Sequence, residues 1–169
     1  GMLMILGPTM DPQVAFNISL RIPHLPLRMT EHARRAQFLA ARLHAMGMTV
    51  TYPGLASHPD HLLMTDLHFP DNGYGGIFTL DMGTHDAANE LLDLLQNDYH
   101  FGHVAVSLGY FDTLMSCSGS STSSEMTDED KVAAGISAGL VRMSVGYTGT
   151  AEQRWAQLQE AVERVSIVP

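Results

Sequence analysis

The segment 140–146, LVRMSVG, sets Val141, Met143 and Val145 against Arg142 and Ser144 in strict alternation. Successive side chains of an extended chain point to opposite faces, so the pattern predicts a strand with one apolar face and one face carrying an arginine and a serine. Such a strand cannot stand alone. Its apolar face needs a covering layer, and its polar face must meet water or a polar partner.

The covering layer is legible on either side. Thr150 reads as the N-cap of a closing helix whose Trp155, Leu158, Val162 and Val165 share one stripe. Thr30 reads as the cap of another, with Ala33, Ala36, Ala40, Leu43 and Met46 at helical spacing and Gly47 as the stop, while Arg34, Arg35 and Arg42 fall mostly off that stripe. Thr84 opens a third, carrying Ala87, Leu91, Leu94 and Leu95. Short strands are expected at 48–52, ended by Pro53-Gly54, at 77–82 after Gly75-Gly76, and at 103–108. Short helices are expected at 57–67 and 127–134, with a Ser/Gly loop at 116–124. Ahead of these, Pro8, Pro12, Pro23 and Pro26 break the segment 7–27 and leave room for one helical piece at 12–20. The order αβαβαβαβα predicts an α/β two-layer sandwich, helices on one sheet face, with parallel and mixed sheets both open.

Composition narrows the partners. A chain of 169 residues is one ordinary domain with a real core. A net charge of −9 with no basic stripe argues against nucleic acid and against an anionic membrane surface. The apolar segment 2–6 is too short to cross a bilayer. One cysteine, Cys117, excludes an intrachain disulfide and fits a reducing cytoplasmic compartment. The pairs His58/His61 and His100/His103 lack the third and fourth ligands that zinc requires, so no metal is expected.

Several longer stretches carry a family likeness: LGPTMDPQVAF, RIPHLPLRMTEHARRA, GMTVTYPGLASHPDH, Gly73-Tyr74-Gly75-Gly76, AVSLGYFDTLMSCSGSSTSSEM and AAGISAGLVRMSVGYTGTAEQRW. In consistent order they span nearly the whole chain. The sequence resembles the C-terminal part of the Cys/Met-metabolism enzymes that depend on pyridoxal phosphate (PLP), and within them the plant-type methionine γ-lyases. The resemblance implies the small C-terminal domain of a fold-type-I PLP-dependent transferase. Residues 1–27 would then be a lead-in segment and 28–169 the small domain, with the PLP-binding large domain outside the chain. It also implies a clamp for the substrate α-carboxylate made of Arg142 with Ser107 and Leu108 of the Ser-Leu-Gly motif, and a nearby loop containing Ser120, Ser121 and Thr122.

Taken alone, an arginine at position 142 reads as a surface or salt-bridged residue. The clamp role comes from the resemblance and suits a planar fork that grips a carboxylate with two parallel hydrogen bonds. Ser107 reads as a positioning group, because no histidine and acid accompany it at the spacing a serine nucleophile needs. One count opposes activity by this chain alone. Its single lysine, Lys131, lies in the acidic run Asp128-Glu129-Asp130, the opposite of the desolvated setting a Schiff-base amine requires. PLP is therefore expected in the intact enzyme and not on this chain alone. The expected partners are a PLP-binding large domain or subunit, the amino-acid substrate's carboxylate and further copies of the chain. Two alternatives stay open: a non-catalytic assembly module pairing with a separately encoded PLP-binding half, and cystathionine γ-synthase or lyase chemistry.

Overall fold

Why the chain enters its first helix where it does is clear from the local chemistry. The computed structural model describes residues 7, 9–118 and 126–166. Asp11 accepts hydrogen bonds from the amides of Gln13 and Val14, and Pro12 occupies the first turn, where a missing N–H costs nothing. These caps launch α1 (Pro12–Arg21), which has no buried residue. A 3-10 turn, Ile22–His24, leads into α2 (Leu25–Ala45). The latter helix begins at Leu25, not at Thr30 as the cap reading proposed. Pro26 lies in its first turn and starts the helix instead of breaking it. Helix α2 ends before Gly47, whose φ of +84° suits a residue without a Cβ.

The remaining elements are β1 (Thr49–Thr51), α3 (His61–Leu67), β2 (Ile77–Asp81), α4 (His85–Asp93), β3 (Gly102–Val104), β4 (Thr113–Cys117), α5 (Asp128–Ala133), β5 (Leu140–Ser144) and α6 (Ala151–Ser166). A π-helical turn, Leu94–Asp98, extends α4. Thr84 and Thr150 cap α4 and α6 through their hydroxyls, accepting from Ala87 N at 3.2 Å and Gln153 N at 3.1 Å. Helix α3 starts at His61, later than the expected 57–67.

Five strands form one mixed sheet in the order β1-β2-β5-β4-β3. All neighbours are antiparallel except β3 and β4. The expected strand at 103–108 is only Gly102–Val104, and the chain then turns through 105–112 into β4. That strand was not anticipated, and the expected loop at 116 begins later. The reason is burial: every residue of β4 is enclosed, so its sequence shows no alternation.

One face of the sheet packs on helices. Phe78, Leu80, Met115, Val141 and Met143 meet Leu39 and Leu43 of α2, Leu91 of α4 and Leu158 and Val162 of α6. The structure is the α/β two-layer sandwich with helices on one face. The turn 105–112 crosses the opposite face, which carries Arg142 and Ser144.

Candidate functional site

Strand β5 presents Arg142 on the face away from the helical core, since its neighbours Val141 and Met143 are fully enclosed there. Its fork is half-buried beneath the turn 105–112. Arg142 Nη2 donates to the Ser107 carbonyl at 2.8 Å and to the Ala105 carbonyl at 3.4 Å. The family likeness placed Arg142 with Ser107 as a carboxylate clamp. The structure brings the two together, but through the serine's main chain: a desolvated donor takes the nearest carbonyls.

Ser116 lies directly across from Arg142 in the β4–β5 register. Ser116 Oγ and Arg142 Nε are both buried and have no hydrogen-bond partner among the described residues. A buried donor left unmade costs roughly 1–3 kcal/mol, so an acceptor that reached this pair would be favoured there. A guanidinium edge with a hydroxyl beside it suits a carboxylate oxygen. Leu108 is exposed on the same turn, and a hollow of about 480 Å³ opens there between Ser107, Leu108, Tyr110 and Leu114. Arg142 does not line that hollow. Ser120, Ser121 and Thr122 lie outside the described residues.

Groups that the sequence did not single out hold this region. Asp112 ends the turn and accepts from Thr148 Oγ1 at 2.7 Å, from Thr113 N at 3.0 Å and from Arg154 Nη2 at 3.3 Å. Arg35, read from its spacing as off the buried stripe, is 7% exposed. It donates to the carbonyls of Thr148 and Gly149 at 2.8 and 2.7 Å, tying α2 to the bend after β5. Glu31 accepts from Arg34 and Arg35, and those hydrogen bonds, Arg34's first, hold its carboxyl down at about 2. His32 bonds the Val145 carbonyl beside them. No periodicity signals such ties, because they depend on where a distant bend lands.

The histidines serve locally. His61 Nδ1 meets Pro53 O at 2.7 Å, His58 accepts from Asp60 N, His100 faces Gln96 O, and His103 stands 3.7 Å from Asp112. Among the described residues no group of three His, Cys, Asp or Glu side chains could hold a metal ion. Nor is any described helix long and apolar enough to cross a membrane.

The family model for Cys/Met metabolism PLP-dependent enzymes matches residues 2–162. The chain belongs to that family. Methionine gamma-lyase of Arabidopsis thaliana is 58% identical over 165 residues, covering 98% of this chain and 37% of the relative. L-methionine gamma-lyase of Fusobacterium nucleatum subsp. polymorphum is 32% identical, covering 98% of this chain and 40% of the relative. Cystathionine gamma synthase of Xanthomonas oryzae pv. oryzae, solved with aminoacrylate and cysteine, superposes with a TM-score of 0.76 at 31% identity, over 86% of this chain and 36% of that one. The chain thus spans well under half the length of these relatives, and its fold is the small α/β domain of fold-type-I PLP enzymes.

The family's cofactor is PLP, which acts as an electron sink for bonds next to an amino acid's α-carbon. The described residues do not fit it. The chain's one lysine, Lys131, stands on the six-residue helix α5 directly after Glu129 and Asp130. The orphaned Arg142 Nε and Ser116 Oγ suit an anionic oxygen and not a pyridine ring.

Proposed function

We propose that this chain is the C-terminal, substrate-carboxylate-binding domain of a PLP-dependent sulfur amino acid lyase of the methionine γ-lyase type. The observation that carries the reading is the half-buried Arg142 fork, with an unmet Nε beside the unmet Ser116 Oγ and the Ser107–Leu108 turn lying over it. Arg142 binds and orients the α-carboxylate of methionine, and the turn closes the opposite side. Residues 28–169 form this domain and 1–27 lead into it. The cofactor pocket and its lysine come from polypeptide outside these 169 residues, so the chain by itself holds the amino acid and turns nothing over. The high identity to a relative named methionine gamma-lyase favours methionine over cystathionine as the substrate.

A large apolar surface supports a covering partner. Phe16, Leu20 and Ile22 are 57–59% exposed along α1 and the turn after it, and Leu62, Leu67 and Phe69 are 72–77% exposed around α3. Surface of that kind marks an interface, here with the cofactor-binding region and with further copies of the chain. A cytoplasmic setting fits the single thiol.

The test is complementation. Co-expressed with the cofactor-binding region of the Arabidopsis relative, the chain releases methanethiol from methionine. Arg142→Ala lowers kcat/KM about tenfold to a hundredfold, the factor set by losing charge-assisted hydrogen bonds. Arg142→Lys recovers part of that, because an ammonium cannot present a planar fork. Unchanged kcat/KM in Arg142→Ala refutes the clamp.

A further inference from the structure

Strand β5 grips the turn 105–112 at two places, and only one of them is the arginine. Ser144, two residues beyond Arg142 on the same face, is 4% exposed, and its hydroxyl accepts from Gly109 N at 3.1 Å. We infer that Ser144 is a positioning residue for carboxylate capture, holding the Ser107-Leu108-Gly109 turn over Arg142 when the arginine's own donors are engaged by substrate. The inference rests on the proposed role of Arg142.

Three observations lead there. First, the turn has little packing to hold it: Val106, Leu108 and Tyr110 are 66%, 58% and 43% exposed. Its place over β5 therefore depends on polar ties. Second, two of those ties, to Ala105 O and Ser107 O, come from Arg142 Nη2. A carboxylate arriving at the guanidinium competes with both carbonyls, and as the stronger acceptor it weakens them. The Ser144–Gly109 bond does not involve the arginine and survives this exchange. Third, Gly109 has φ +73°, a left-handed conformation that turns its amide down onto the strand. An amide so placed and left without its acceptor would draw the turn away from β5. Both grips therefore hold the turn when the site is empty, and Ser144 keeps its hold when the arginine is engaged.

The experiment uses the 169-residue chain and heteronuclear NMR, with L-methionine as the probe and the Leu108 amide shift as the binding readout. Gly109 amide exchange reports the tie itself, and Val141 and Met143 amide protection reports the intact sheet. In Ser144→Ala, Gly109 exchange rises about fivefold and methionine binds about fivefold more weakly, the factor expected for one ordinary hydrogen bond. Val141 and Met143 keep their protection. If alanine disturbs the sheet, Ser144→Thr against the nearly isosteric Ser144→Val separates hydroxyl from volume: threonine retains binding and valine loses it. Equal affinity in the threonine and valine variants, or a freed Gly109 amide with unchanged affinity, overturns the inference. Methionine binding that survives Arg142→Ala refutes the underlying clamp, and that result is read independently of any Ser144 variant.

Discussion

Replacing Glu31 by glutamine tests how the fold secures the strand that carries Arg142. Glu31 accepts from Arg34 at 2.7 and 2.8 Å and from Arg35 at 2.6 Å, and Arg35 in turn holds the carbonyls of Thr148 and Gly149. These hydrogen bonds, Arg34's foremost, lower its carboxyl from 4.5 to about 2. At 1.36 kcal/mol per pKa unit such a shift has a ceiling of about 3.4 kcal/mol. The Glu31 side chain is 32% exposed and that of Arg34 54%, so solvent screening reduces this to about 1–2 kcal/mol. The folded value lies below the unfolded one, so the contribution is complete above pH 4.5 and is lost as the pH falls towards about 2. The assay is urea unfolding followed by the single tryptophan, Trp155, from pH 7 down to about pH 2.5, which covers most of the interval between the unfolded and folded values. Glu31→Gln is expected to unfold at lower urea than the parent at pH 7, with the gap closing steadily below pH 4.5. A variant as stable as the parent at pH 7, or a gap that persists undiminished at the acid end, refutes the reasoning.

Two further expectations follow from the packing. Tyr52 is fully buried and donates to Gly75 O at 2.9 Å, and burial, with a smaller push from Tyr74, raises its hydroxyl well above the usual 10. In an alkaline ultraviolet titration one of the five tyrosines should stay protonated until the fold opens, and stability should fall as the pH climbs past 10; five tyrosines titrating together would contradict this. A methyl group added at Gly146 would run into the backbone of Phe111 and Asp112. Gly146→Ala should cost about 1–3 kcal/mol in chemical unfolding and displace the turn 105–112, whereas an unaltered midpoint would show that the approach is looser than described.

Much of this arrangement was legible in the sequence because it depends on local rules. The closing helix showed itself through the Thr150 cap and the stripe of Leu158 and Val162, both buried in the core. The two faces of β5 followed from plain alternation, and the face of Arg142 with it. Strand β4 was invisible for the opposite reason: with Met115 under the helices and Leu114 and Ser116 under the turn, both faces are dry and the period-two signal vanishes. Helix α2 begins early because Pro26 suits a first turn as well as a break, and spacing cannot tell these apart. Arg35 read as solvent-facing because its acceptors, Thr148 O and Gly149 O, are far away in sequence. Of the site, the neighbourhood of Arg142 and Ser107 could be expected from the family likeness, and the structure brings the two into contact. Alternation could not show that Arg142 binds the main chain of the turn or that Ser144 accepts from Gly109 N.

The strand order carries one more consequence, for the moment at which the protein is made. β5 emerges after the other four strands yet lies between β2 and β4, antiparallel to both. Until it arrives, the nascent chain has only two separate pairs, β1 with β2 and β3 with β4, and two-stranded pairs are marginal in water. A ribosome that stalls before residue 140 would therefore release two unjoined halves with bare strand edges, the kind of surface that other chains pair with. Translation through LVRMS closes the sheet and installs Arg142 in the same step.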